Sequence, residues 1–218
     1  MNLPVIFRIL GVLLMLFSCT QIPPLLVSYY YNDGVIYSFL TTFILTFLSG
    51  FILWAPVMRN KKDLKTRDGF LVVTLFWTVL GSFGSFPFMF TESLNMSVTD
   101  SFFESISGLT TTGATVLSGL DELPRSILYY RQQLQWLGGM GIIAIAVAIL
   151  PMLGIGGMQL YRAESPGPIK DNKLLPRVTE TAKALLLIYI SLTMLCALAY
   201  FLAGMTIFDA IGHSFATI

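Results

Sequence analysis

Five apolar segments, covering roughly 3–27, 35–57, 69–90, 128–153 and 179–203, leave this chain a lipid bilayer as the solvent in which it can fold. At about 1.5 Å of helical rise per residue, each is long enough to cross ~30 Å of hydrocarbon. Hydrophobic residues make up 55% of the chain and charged residues 11%, against roughly 25% charged in ordinary soluble domains. A soluble fold of this composition would leave large apolar patches wet. The formal net charge is +1 and no basic stripe is interleaved with aromatics, so nucleic acid is not an expected partner. Cys19 and Cys196 fall inside apolar segments and read as buried free thiols. Arg8 ahead of an apolar run, and Leu16-Phe17-Ser18-Cys19 within it, faintly imitate a cleaved leader. Phe17 is too bulky for a cleavage box and the apolar run continues to Val27, so the segment reads as a spanning helix.

Positive charge sets the orientation. Arg59, Lys61, Lys62, Lys65 and Arg67 crowd one loop, and Arg162, Lys170, Lys173 and Arg177 another, whereas 28–34 has no Lys or Arg and 91–127 only Arg125. Basic loops stay cytoplasmic, which puts the amino terminus inside and 91–127 outside. Tyr29, Tyr30, Tyr31, Tyr129 and Tyr130 then fall at the outer interface, with Trp54 and Tyr161 at the inner one. Five spans from an inside start leave 204–218 outside, on the same side as 91–127.

Residues 98–115, VTDSFFESISGLTTTGAT, lie between two spans. About a dozen of them favour helix, too few to cross a bilayer. They run into Thr110, Thr111, Thr112, Gly113, Ala114 and Thr115, where β-branched threonines resist helix and Gly113 can take positive φ. The half-helix enters from outside, so its carboxyl end, carrying about half a negative charge, points toward the bilayer middle. Backbone left unpaired at membrane depth is tolerated only where it is buried or faces water or ions. Such a tract offers main-chain oxygens to a dehydrated cation; the bland alternative is a re-entrant loop that merely packs. Asp100 suits the positive first turn of the half-helix, with Ser97 or Thr99 as its cap. Glu104, one turn deeper, supports the tract by bonding its backbone N–H groups or raises cation occupancy at its mouth.

A shift of 109 residues lays Met96-Ser97-Val98 on Met205-Thr206-Ile207, Asp100 on Asp209, Ser105 on Ser214 and Leu109 on Ile218. Both copies follow an outward-going span preceded by a basic loop, so the carboxy-terminal residues read as a second half-helix. His213 then stands where Glu104 stands in the first copy and reads as a polar group supporting the backbone of a second tract.

Other motifs carry less. Gly138 and Gly141 mark a face of the fourth span that can approach another helix closely, and Arg131 either snorkels or pairs with Asp121, Glu122 or an acid near the tract. Gly154-Ile155-Gly156-Gly157 follows no strand and is a helix stop, succeeded by a turn at Pro166-Gly167-Pro168. Asn95-Met96-Ser97 fits a glycosylation sequon very close to the bilayer. An intramembrane hydrolase with Ser105 or Ser107 as nucleophile and His213 as base is the rival from another class.

The runs FFESISGLTTTGAT, YRQQLQWLGGMGII, GGMQLYRAESPGP and FDAIGHSFATI together resemble the TrkH/TrkG family of the Trk/Ktr/HKT superfamily of potassium-uptake subunits, over essentially the whole chain. The resemblance implies an all-α polytopic membrane protein of the bacterial inner membrane, not an enzyme. Its parts are five transmembrane helices, a re-entrant pore half-helix with its filter loop, and a truncated second half-helix. It assigns 1–58 to a two-helix amino-terminal extension, 69–152 to a first helix–pore–helix repeat and 178–218 to the opening of a second. By the same resemblance Thr111 and Thr112 contribute potassium-coordinating carbonyls. Thr110, Gly113, Ala114 and Thr115 complete that filter segment, and Asp100, Glu104 and His213 support it. No cofactor is implied, only the transported K+. The expected partners are the surrounding lipid, a second subunit in a homodimer, and a cytosolic TrkA-like nucleotide-binding regulatory subunit on inner loops such as 153–178. The family needs four filter segments where one and a half-helix are present here. The chain is therefore expected to be part of a longer subunit; the alternative is a non-conducting membrane partner of complete ones.

Overall fold

The computed structural model describes residues 3–58, 66–152 and 174–218. Among them every regular element is helical: α1 (Leu3–Cys19), α2 (Ile22–Tyr31), α3 (Ile36–Trp54), α4 (Thr66–Gly84), α5 (Phe86–Phe90), α6 (Val98–Leu109), α7 (Arg125–Met152), α8 (Leu174–Leu202) and α9 (Ile207–Thr217). Among the described residues four stretches are long and apolar enough to cross a membrane: Leu3–Tyr31, Ile36–Val57, Leu71–Phe90 and Glu180–Leu202. The fourth expected span, about 128–153, corresponds to the 28-residue α7, about 42 Å long, whose far end falls outside the described side chains. The basic residues 59–65, the glycine run at 154–157 and the turn at 166–168 lie outside the described residues.

Two compact units divide the chain, one up to Trp136 and one from Leu137. In the first, α1 and α3 cross at Gly11 and Gly50. A Cβ on Gly11 would stand 2.6 Å from the Gly50 carbonyl, and one on Gly50 would stand 2.7 Å from that of Gly11. Lipid tails are as apolar as leucine, so close backbone packing and hydrogen bonds, rather than the hydrophobic effect, hold such helices together. In the second unit α9 folds back on α8, with the Tyr200 hydroxyl 2.9 Å from that of Thr217. Gly138, one of the two glycines expected to allow close packing, is buried, and next to it Gly139 makes a close contact, where a Cβ would stand 2.4 Å from the Tyr189 hydroxyl.

Two spans are broken, and α7 repairs both breaks. The first span bends at Thr20–Gln21 because Pro24 has no N–H to give the Thr20 carbonyl four residues back. That carbonyl takes the Gln133 side-chain amide at 2.8 Å. The third span bends at Ser85, just ahead of Pro87, and the Gly84 carbonyl beside the bend takes the Tyr130 hydroxyl at 2.9 Å. Tyr130 also accepts from the Gln21 amide at 3.3 Å. Its ring lies 5.5 Å from that of Phe39 and 5.3 Å from that of Phe88, fully buried. Tyr130 is therefore the centre of the first unit's core and not an interfacial tyrosine: its ring fills the space between three helices, which a belt position would leave empty.

At the start of α7 the Asp33 carboxylate accepts from the Ser126 N–H at 3.0 Å, the Val35 N–H at 3.3 Å and the Ser28 hydroxyl. It thus satisfies a donor that a helix start leaves unpaired. Burial works to raise the Asp33 carboxyl, but its bonds from Ser28, Ser126 and Val35 outweigh that and hold it below the ordinary aspartate value. Cys19 and Cys196 are free thiols as expected, yet Cys19 is exposed and Cys196 half-buried. An apolar residue in a span can be covered by lipid instead of protein.

Candidate functional site

Helix α6 starts on the cap its sequence announces. Ser97 Oγ accepts from the Asp100 N–H at 3.1 Å and bonds the Asp100 carboxylate at 2.7 Å. Of the two expected caps, Ser97 serves. The geometry recurs 109 residues later, where Thr206 accepts from the Asp209 N–H at 3.2 Å and bonds its carboxylate at 2.7 Å at the start of α9. Ser105 and Ser214, equivalent in the repeat, are both fully buried. Asp100 also lines a cavity of about 310 Å³ shared with Asn95, Val116 and Leu117.

The other end of α6 is closed by two crossed bonds: Thr111 N–H to the Gly108 carbonyl and Thr112 N–H to the Ser107 carbonyl, both at 2.9 Å. This is the Schellman ending, which places one residue in the left-handed region and usually uses glycine there. Here that residue is Thr111, at φ +56°, and Gly113 follows at φ +72°. A β-branched residue held left-handed costs roughly 1–3 kcal/mol and needs surroundings that enforce it. Asparagine tolerates this conformation better. Thr111→Asn is accordingly expected to stabilise the folded chain by about 1 kcal/mol, read as a higher unfolding midpoint in detergent micelles. A lowered midpoint would mean the threonine is not strained.

The N–H groups of Thr110, Thr111, Thr112 and Gly113 are tied back to α6, and most of the tract's carbonyls are not. The Ser107 hydroxyl donates to the Ala114 carbonyl at 2.6 Å, while the carbonyls of Thr111, Thr112 and Gly113 accept no hydrogen bond among the described residues. Residues 110–116 are exposed in this chain. Thr110 Oγ1 bonds the Ile106 carbonyl and Thr112 Oγ1, each at 2.8 Å.

Glu104 is the anchor. It is 3% exposed, and both its carboxylate oxygens take the Thr115 hydroxyl at 3.0 Å. Its Oε2 takes the Val116 N–H at 3.2 Å, and Oε1 forms an ion pair with Arg131 Nε. Of the expected fates of Arg131, snorkelling or pairing with Asp121, Glu122 or an acid near the tract, the last holds, and the acid is Glu104. Farther along α7, Leu134 seats against Gly108, where an added Cβ would stand 2.9 Å from its own. The Gln135 amide is 3.5 Å from where a Gly113 Cβ would lie.

His213 lies on α9 in the second unit, exposed, its ring centroid 6.1 Å from that of Tyr200. Its imidazole makes no hydrogen bond among the described residues, although its carbonyl accepts from the Thr217 hydroxyl at 2.7 Å. The Ser105 hydroxyl donates to the Gly81 carbonyl at 2.8 Å and that of Ser107 to Ala114, so both give their protons to backbone and neither to a base. Tyr130 and Gln133 were not legible as members of this surround. The available signal was Pro23-Pro24, which predicts an orphaned carbonyl at membrane depth and hence a donor on another span.

Residues 36–218 match the family described as TrkH, cation transport protein. The Trk system potassium uptake protein TrkH of Vibrio parahaemolyticus is 64% identical over 213 residues, 98% of this chain and 44% of that protein. The TrkH of Escherichia coli is 62% identical over all 218 residues, 45% of its own length. The crystal structure of the potassium transporter TrkH from Vibrio parahaemolyticus superposes with a TM-score of 0.85 at 58% identity, covering 99% of this chain and 42% of that one. The chain thus spans less than half the length of the relatives it matches. With a matched region covering most of its residues and identities above 60%, this membrane chain belongs to the TrkH family of cation transport proteins.

Proposed function

We propose that the chain supplies the first filter segment of a potassium-uptake subunit. The main-chain oxygens of Thr111 and Thr112 take over part of the hydration shell of a dehydrated K+ ion, and Thr110, Gly113, Ala114 and Thr115 complete the segment. The observation that carries this reading is the asymmetry of the tract: the N–H groups of Thr110 to Gly113 are bonded back to α6, while the carbonyls of Thr111, Thr112 and Gly113 accept no hydrogen bond among the described residues. Free carbonyls at membrane depth are tolerated beside an ion path and costly elsewhere. The names of the relatives supply the ion, since each is called a potassium uptake protein or potassium transporter.

In this reading α6 is a re-entrant pore half-helix, α9 opens a second, α7 is the fourth span and α8 the fifth. Residues 1–58 are the extension, 69–152 the first repeat and 178–218 the start of the next. Asp100 and Glu104 support the first tract and His213 supports its counterpart. The basic loops put the amino terminus on the cytoplasmic side of a bacterial inner membrane. The loop 153–178 is then available to a cytosolic nucleotide-binding regulatory subunit, and the complete subunit pairs as a homodimer. The transported ion needs no resident cofactor.

A chimera tests the reading: residues 1–218 replace the matching stretch of the Escherichia coli relative, in cells lacking their own potassium uptake. Gly113→Ser and Gly113→Asp are expected to lower K+/Na+ discrimination at least several-fold, because a side chain added at φ +72° strains the backbone that glycine adopts freely. Discrimination unchanged in both variants would remove the tract from the ion path.

A further inference from the structure

Helix α7 presents two sets of polar contacts on neighbouring faces, and only one of them touches the tract. Arg131 holds Glu104, which holds Thr115 and Val116. Offset around the same turns, Ser126, Tyr130 and Gln133 fall at i, i+4 and i+7 and share a face. All three reach connections of the amino-terminal helices: Ser126 the Asp33 carboxylate between α2 and α3, and Tyr130 and Gln133 the Gln21 amide and Thr20 carbonyl in the turn between α1 and α2. We infer that the amino-terminal helix pair sets the position of the filter tract through α7, with Tyr130 and Gln133 as positioning residues for ion discrimination although neither touches the tract. The inference rests on the proposed role of the tract as an ion path.

Three observations support a positioning role over simple stability. First, the contacts of Tyr130 and Gln133 are made at helix breaks, where the backbone would otherwise rotate most easily, and both come from side chains of one helix. Second, the amide oxygens of Gln21 and Gln133 are buried with no hydrogen-bond partner among the described residues, while their N–H groups make the bonds that matter. A leucine-sized side chain would fill the same space without burying an unpaired oxygen, so packing alone does not call for glutamine there. Third, Arg131 is the residue next to Tyr130, so a rotation of α7 that relaxed the Tyr130 and Gln133 contacts would carry the Glu104 partner with it. The whole chain of contacts lies inside the first compact unit.

The test uses the same chimera, with uptake of K+ and Na+ measured per inserted protein. Gln133→Leu and Tyr130→Phe each remove one polar contact and keep the bulk. Both are expected to lower K+/Na+ discrimination about 3- to 10-fold, with Gln133→Asn partly restoring it. If Gly113→Ser alters discrimination while both α7 variants leave it at the parent value, the inference falls and the ion-path reading stands. If Gly113→Ser also has no effect, the ion-path reading itself has failed. Reduced insertion in both α7 variants, with unchanged discrimination in the protein that remains, assigns them a structural role only and overturns the inference.

Discussion

Glu104→Ala is expected to be the most damaging single change near the tract. It leaves the Arg131 side chain, 12% exposed, without its counter-charge, and deprives the Thr115 hydroxyl and Val116 N–H of their acceptor. Breaking a buried pair from one side typically costs about 3–5 kcal/mol, much of it the penalty of the charge left behind. The origin of that cost is checkable. Glu104→Ala combined with Arg131→Ala removes both charges and is expected to be less destabilising than the sum of the two single variants by about 2 kcal/mol or more. Glu104→Gln keeps an acceptor for Thr115 and Val116 and is expected to fall between wild type and alanine. The measurement is the unfolding midpoint in detergent micelles, accompanied by potassium uptake of the chimera at low external potassium, which is expected to drop tenfold or more for Glu104→Ala. Strict additivity in the cycle would show that Arg131 finds water once Glu104 is gone, and that the pair does not order the tract.

Gly50→Val is expected to separate α1 from α3. The new side chain would begin 2.7 Å from the Gly11 carbonyl and 2.9 Å from the Met15 nitrogen, both backbone atoms that no rotamer change can move. Overpacking a tight interior usually costs about 1–3 kcal/mol, and with backbone on both sides the upper end applies. Gly11→Val meets the mirror-image obstacle, 2.6 Å from the Gly50 carbonyl and 2.8 Å from the Trp54 nitrogen. Leu48→Val, on a side of α3 that protein does not cover, provides the control and is expected to shift the unfolding midpoint little. Equal midpoints for Gly50→Val and Leu48→Val would mean the α1–α3 crossing contributes nothing to stability.

Much of the site was legible one residue at a time. The half-helix was expected to be about a dozen residues long and occupies Val98–Leu109. The cap pattern at Ser97 and Asp100 is local chemistry, and its recurrence at Thr206 and Asp209 needed only a fixed register. Local chemistry also gave Gly113 its positive φ, but it did not anticipate Thr111 in the same region, because intrinsic preference argues against a threonine there. The ending of α6 enforces that conformation by two hydrogen bonds that close only if Thr111 turns left-handed.

Partner choice was legible only as a short set of options. Arg131 had Asp121, Glu122, an acid near the tract or water open to it, and its pairing with Glu104 depends on α6 and α7 meeting at Gly108, a contact between residues 26 apart in the case of Leu134. Tyr130 looked like an interfacial tyrosine by its position along the chain, and the packing of Phe39 and Phe88 around its ring makes it core.

The amino acids alone determined which stretches enter the membrane, where the short helix begins, and that unpaired backbone follows it, because span length, capping and helix preference act over a few neighbouring residues. Only the tertiary structure decided which donor closes the break left by Pro24, which acid takes Arg131, and which tyrosine fills the core. In a bilayer an orphaned polar group is costly unless the protein supplies a partner, and the partner it finds depends on which helices lie side by side.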